Sequence, residues 1–199
     1  ILYPPAKINL GLNIVGKRPD GYHDLETVFY PLHTVTDILE VSLHEEEGCA
    51  TNTLVTSLTE DNLVVRAYRL VSSDFFLPAM DVRLVTRIPM QAGLGGGSAD
   101  AAYMLKAVNE LAQLHLSDDE LEGYALSLGA DVPFFIRCQP CYAEGVGERM
   151  TPIALDLSRY EIRHYKDDAI SVSTADAFRN IPVRKPARRF DDIVLNTPV

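Results

Sequence analysis

Four glycines fall within five residues at Gly93-Leu94-Gly95-Gly96-Gly97, and no other segment restricts the fold so tightly. Upstream, Val82, Leu84 and Thr86 alternate with Arg83, Val85 and Arg87, so 81–88 reads as a strand that Pro89 stops. Downstream, 98–112 is alanine-rich, with Ala101, Ala102, Leu105, Val108 and Ala112 at helical spacing. Glycines between a strand and a helix let the backbone take positive φ and approach a bound group closely. The helix start beyond them offers N–H groups and the positive end of a dipole, which together favour a phosphate. The candidate loop runs through Pro89, Met90, Gln91, Ala92, Gly93, Leu94, Gly95, Gly96, Gly97, Ser98 and Ala99. It is not a Walker A loop, since no Gly-Lys-Ser/Thr follows. Nor is it the dinucleotide fingerprint, because Ser98 stands where the last glycine is required.

The remaining chain reads as a mixture of strands and helices. Residues 7–15 alternate, with Ile8, Leu10, Leu12 and Ile14 on an apolar face and Lys7, Asn9, Gly11 and Asn13 on a polar one. Lys17-Arg18-Pro19-Asp20-Gly21 is a turn by composition. Residues 24–31 and 35–43 read as further strands, and 44–59 as a polar loop or hairpin tip. Asp61 is placed to cap a helix over 62–72 whose stripe is Leu63, Val64, Ala67, Leu70 and Val71. Ser117 with Glu120 forms a capping box, opening a helix that ends near Gly129. Val132 to Ile136 is expected to begin a strand pair that turns near Gln139-Pro140. Beyond Pro152 the composition shifts. Residues 160–166 alternate but are polar, 173–180 suit a short helix capped by Ser173 or Thr174, and 184–192 is basic and then acidic. A boundary near 147–153 divides the chain into 1–150 and 151–199. The second part is small for an independent fold and is expected to lean on the first.

With 199 residues, one or two domains fit, taking about 150 residues per domain. The apolar share of 47% and charged share of 23% are those of a globular chain. No run approaches the roughly 18 apolar residues that a spanning helix needs, so no membrane partner is expected. A net charge of −10 repels phosphate backbones, so sequence-independent nucleic-acid binding is not expected either. A small anionic substrate is compatible, because a local basic site can override the global field. No charged n-region precedes a short apolar run, so no signal peptide is read, and Cys49, Cys138 and Cys141 show no disulfide-scaffold spacing, which favours a reducing cytoplasm. Cys138-Gln139-Pro140-Cys141 lacks the further ligands of a zinc site, so no protein-held metal is expected. His33, His44, His115 and His164 form no constellation and read as structural or surface residues.

The glycine loop resembles the second motif of the GHMP kinases. Three more segments extend the resemblance: Pro5-Ala6-Lys7-Ile8-Asn9-Leu10, Arg18-Pro19-Asp20-Gly21-Tyr22-His23 and Leu128-Gly129-Ala130-Asp131-Val132-Pro133-Phe134-Phe135. Their order and spacing resemble the branch that phosphorylates a cytidine-diphosphate alcohol in non-mevalonate isoprenoid synthesis, over about residues 4–182. The resemblance implies an α+β fold, with an ATP-binding N-terminal domain and a second domain closing over the alcohol. It implies ATP and Mg²⁺ as the phosphoryl source, and a small-molecule acceptor as partner. It implies Asp131 as the group accepting the proton of the attacking hydroxyl, with Lys7 beside it and Asn9 among the substrate contacts. Tyr22, His23 and Phe29 match positions that hold the cytosine. Two departures stand in the loop: Gln91 where the family carries a small residue, and Ala99 where a second serine is common. A Gly/Ser/Thr-rich third motif, found near the C-terminus of longer family members, does not occur before Val199. Two readings compete with this one. One is a GHMP kinase for another small alcohol, which Gly21-Tyr22-His23 argues against. The other is a non-catalytic nucleotide-binding relative, which the joint presence of Lys7 and Asp131 argues against and the missing third motif argues for.

Overall fold

The computed structural model describes residues 1–19, 21–45 and 50–165. The described elements are, in order, β1 (Pro5–Lys17), β2 (His23–Thr36), β3 (Ile38–Leu43), β4 (Leu54–Val55), α1 (Leu63–Ser72), β5 (Met80–Val85), α2 (Gly96–Leu111), α3 (Asp118–Leu128), α4 (Phe134–Arg137), β6 (Cys141–Gly145) and β7 (Arg149–Pro152). One sheet runs β1-β2-β6-β7, antiparallel throughout. The other runs β3-β5-β4, with β4 parallel to β5. The α+β class is as expected.

Helix α2 is the central element and meets α1, α3, α4, β1 and β3. Its small residues allow that: Ala99, Ala101, Ala102 and Ala107 are buried alongside Met104, Leu105 and Val108. Close approach from several sides requires a slim helix, and alanine supplies one at no cost in helix propensity. Helix α1 presses Val64, Val65, Ala67, Tyr68 and Val71 into the same core. The Tyr68 hydroxyl donates to the Thr53 carbonyl at 3.1 Å, so its burial leaves no orphaned donor. A small satellite cluster of Ala6, Leu32, Ile88 and Leu94 joins the first sheet to the glycine loop.

Several sequence expectations are corrected. The two strands expected over 24–31 and 35–43 are instead β2 and β3, continuous but for a break at Asp37, where the chain passes from one sheet to the other. Strand β5 ends at Val85 rather than at residue 88, because Asp37 takes the N–H groups of Arg87 and Ile88 out of the ladder. The expected loop over 44–59 contains the short β4. Asn62, not Asp61, caps α1, accepting from the Val64 N–H at 2.9 Å. Helix α2 starts at Gly96, two residues early, so the last glycines of the loop form its first turn. The expected strand at 132–136 is the short helix α4. Its Phe134, Phe135 and Ile136 are all buried, so no alternation exists to distinguish strand from helix, and Pro133 suits a helix start. The apolar face expected for 7–15 is interrupted: Leu12 is exposed, because a bulge with Gly11 at φ +75 shifts the register between Asn9 and Leu12, and Lys7, ahead of the bulge, is buried under Phe29 and the glycine loop. The capping box of Ser117 and Glu120 forms as expected, and α3 ends at Gly129. Residues 160–165 form no strand and are exposed. The helix expected at 173–180 and the charged tail at 184–192 lie outside the described residues.

Candidate active site

The Lys7 ammonium projects from β1 into the interior, with its side chain only 5% exposed. An unpaired charge there would be costly, so its partners define the site. Nζ donates to Asn9 Oδ1 at 2.8 Å, lies 3.2 Å from Asp131 Oδ2, and sits 4.3 Å above the centroid of the Phe29 ring. Asn9 is itself held, because its Nδ2 donates to Thr27 Oγ1 at 3.2 Å and the Thr27 hydroxyl donates to the Gly11 carbonyl at 2.6 Å. The bulge in β1 therefore shapes the site, since it turns a carbonyl toward Thr27, which aligns Asn9, which aligns Lys7. Asp131 stands in the turn between α3 and α4 and is 40% exposed, so its carboxylate is fixed by Lys7 on one side and open on another.

The glycine loop is joined to this cluster by backbone. The Lys7 N–H donates to the Leu94 carbonyl at 2.8 Å, while the Leu94 side chain anchors in the satellite core. Gly95 caps α2 at φ +72, and a Cβ there would lie 2.9 Å from Phe135 Cζ and 3.0 Å from Lys7 Cγ. Only glycine satisfies both constraints. Gly96, Gly97 and Ser98 make the first helical turn, whose N–H groups have no earlier carbonyl in the helix, and no side chain caps them. Ala99 is different: its N–H returns to the Gly95 carbonyl at 2.9 Å, and its methyl is buried. The arrangement is a helix start with uncapped N–H groups, the kind of end that suits an anion, packed directly against a lysine–aspartate pair.

Comparison with known proteins bears on what this arrangement serves. The model for the GHMP kinases N terminal domain matches residues 62–139. The 4-diphosphocytidyl-2-C-methyl-D-erythritol kinase of Bacteroides fragilis is 47% identical over 199 residues, covering 98% of this chain and 72% of that protein. The chain belongs to the 4-diphosphocytidyl-2-C-methyl-D-erythritol kinase family. Enzymes of this family act in the non-mevalonate isoprenoid pathway, and GHMP kinase membership implies ATP as a substrate. A crystal structure of a 4-(cytidine 5'-diphospho)-2C-methyl-D-erythritol kinase superposes with a TM-score of 0.67 at 38% identity, over 78% of this chain and 55% of that one. The mevalonate kinase of Methanococcus jannaschii, at 14% identity and a TM-score of 0.55, shares the fold alone. No helix among the described residues is long and apolar enough to cross a membrane.

Against this kinase family's pattern, the structure gathers some of the expected residues and separates others. Lys7, Asn9, Phe29, Asp131 and the loop from Leu94 to Ser98 meet at one place. Tyr22 and His23 lie at the turn between β1 and β2, Tyr22 being 61% exposed. Phe29 lies six positions along β2 from His23, roughly 20 Å at about 3.3 Å per residue. Phe29, expected to hold the cytosine, is 2% exposed, with Lys7 over its ring and Phe134 tilted against it at 5.2 Å. Leu94 and Ala99 turn their side chains inward, while Pro89, Met90 and Gln91 are exposed, with Gln91 at φ +54. Ala92 packs against the satellite core, and Gly93, at φ +70, has open space where a Cβ would stand.

Cys138 caps the end of α4 in the left-handed region, and burial pushes its thiol up; burial pushes Cys141, in β6, up to about 12. Neither is poised as a thiolate. Sequence reasoning missed Thr27 and Gly147. The latter, at φ +112 in the turn between β6 and β7, lies under Phe29, with its notional Cβ 3.4 Å from the ring. It also missed Asp37 and Asp100, both buried. The signal for Asp100 was present, as a carboxylate among alanines on the apolar face of a helix.

Proposed function

We propose that this chain supplies the phosphate site, the proton acceptor and the acceptor-binding strands of a kinase for 4-diphosphocytidyl-2-C-methyl-D-erythritol. The observation that carries the reading is the Lys7–Asp131 pair, 3.2 Å apart and packed through Gly95 against the open end of α2. The N–H groups of Gly96, Gly97 and Ser98 hold phosphate oxygens of ATP where the helix dipole favours negative charge. Asp131 takes the proton of the 2-hydroxyl as that oxygen bonds to the γ-phosphorus. The bond from the γ-phosphorus to the β–γ bridging oxygen breaks, and ADP departs. Lys7 holds the Asp131 carboxylate in register and lies beside the path of the transferring group. Phosphoryl transfer needs chiefly such positioning and charge neutralisation. The first turn of α2 offers donors, which suit phosphate oxygens rather than a cation, so Mg²⁺ would be carried on the triphosphate and water. When bound, it neutralises charge on the phosphates.

Tyr22 and His23, roughly 20 Å along β2 from the pair, suit an elongated substrate whose cytosine is remote from its reacting hydroxyl. Residues 1–150 would form the nucleotide-binding domain, with 151–199 opening the second. Steady-state competition tests the substrate class. CMP should compete with the alcohol and not with ATP, and UMP should be much weaker. Equal inhibition by CMP and UMP, or none by either, removes the cytidine assignment.

A further inference from the structure

The proposed phosphate loop leaves the satellite core at Ile88 and re-enters the main core at Gly96, and one pair of carboxyl groups lies against both ends. Asp37, 1% exposed, stands at the break between β2 and β3. Its Oδ1 accepts from the N–H of Ile88 at 2.7 Å and from the N–H of Arg87 as well. Its other oxygen faces Gly96, where a Cβ would come within 3.3 Å of it. Asp37 also receives a hydrogen bond from Asp100, which is 3% exposed on α2, one turn beyond Gly96. The remaining oxygen of Asp100, Oδ1, has no hydrogen-bond partner among the described residues.

Two buried carboxylates cannot stand side by side both ionised, so one holds a proton. Asp37 spends one oxygen on two backbone N–H donors, so Asp100 is the member of the pair that donates. Burial first, and then the Asp37 charge and hydrogen bond, push Asp100 up to about 8. The link this leaves across the loop is an O–H···O⁻ hydrogen bond from Asp100 to Asp37, among the stronger hydrogen bonds a protein can make.

We infer that Asp37 and Asp100 are positioning residues that clamp the two ends of the phosphate loop, setting the N-terminal turn of α2 at the height where it meets the triphosphate. The alternative is a buried pair that merely supports the fold. The two differ in what they do to ATP. A clamp fixes the relation of Ile88 to Gly96, and its loss loosens the phosphate site before anything else. A purely structural pair would affect stability and leave the affinity of the folded protein alone. The inference rests on the proposed phosphate role of the loop. Asp100→Asn is the conservative variant, since its amide N–H still donates to Asp37. Asp100→Ala breaks the link and leaves Asp37 with its two backbone donors.

The experiment titrates purified parent and variants with the imido analogue of ATP and magnesium by calorimetry, after thermal melts confirm folding. Asp100→Ala is expected to weaken the analogue at least 10-fold, with KM for the alcohol within about 2-fold of the parent. Asp100→Asn is expected to stay within about 3-fold of the parent for both. Should Asp100→Ala not fold, Asp100→Ser carries the same reading, since its hydroxyl is too short to replace the link. A folded Asp100→Ala or Asp100→Ser binding the analogue as the parent does overturns the clamp alone. So does an Asp100→Asn variant as weak as the alanine one. A parent that does not bind the analogue overturns both the clamp and the phosphate role of the loop.

Discussion

Phe29 carries the Lys7 ammonium on its ring face at 4.3 Å, and that contact decides what its replacement should do. A cation–π contact in a desolvated setting is worth about 0.5–2 kcal/mol. Phe29→Leu should therefore cost stability, by about 1–2 kcal/mol as a partly refilled core site, and should lower kcat several-fold as Lys7 loses its platform. KM for the cytidine substrate should barely move. A stacking role would give the opposite pattern, a raised KM at unchanged kcat, and steady-state kinetics on the folded variant separates the two. Lys7 and Asp131 were legible in the sequence only through their motifs, since a lone lysine on a strand and a lone aspartate after a helix are usually solvated. What the residues alone could not give was the burial of Lys7. It comes from Phe29, Asp131 and Gly95 closing around that side chain, long-range contacts that leave no mark on an alternating pattern.

At the scale of elements, the junction of loop and helix α2 makes an unequal demand on its glycines. Gly95 is held at φ +72 with Phe135 and Lys7 within about 3 Å of any Cβ, whereas Gly97 has only Leu63 Cδ1, at 3.8 Å. Gly95→Ala should thus be strongly deleterious, reducing both stability and phosphoryl transfer by displacing Lys7. Gly97→Ala should fold as the parent does and alter ATP-analogue affinity by less than about 3-fold. Equal tolerance of the two, in melts and calorimetric titration, would contradict the packing of the loop against Lys7. The glycine-rich stretch and its flanking strand and helix were readable from composition and period. The true start of α2 was not, because glycine disfavours a helix by propensity. It is tertiary packing that draws Gly96 and Gly97 into the first turn. Helix α4 was misread for a different reason. An apolar run buried on all sides shows neither a period of two nor one of 3.6, and four residues are too few for length to arbitrate.

Across the whole molecule, the Asp37–Asp100 pair ties both sheets and the central helix to one proton. Asp100 ordinarily titrates near 3.8 and is pushed up to about 8, by burial first and then by Asp37. A carboxyl whose folded value is raised lends stability that is full below its unfolded value and is lost as pH climbs through the folded one. The thermal midpoint should accordingly fall between about pH 4 and pH 8 and level off above that, and Asp100→Asn should flatten that slope. Parallel slopes for parent and variant would remove the shared proton. Strand order, the crossing of the chain between two sheets at Asp37 and the pairing of β6 with β2 are long-range facts that no local pattern in the sequence carried. The four motifs nevertheless marked the residues that this topology gathers, with Tyr22 and His23 left at the distal turn. The proposed phosphoryl transfer hinges on Asp131 as the proton acceptor beside an independent phosphate site. The decisive measurement pairs phosphoryl transfer with ATP-analogue binding for Asp131→Asn. The amide cannot take the proton, so turnover should fall by about 10²–10⁴, the usual scale for a general base, while analogue affinity stays within a few-fold of the parent. Turnover within a few-fold of the parent would show that Asp131 is not the base.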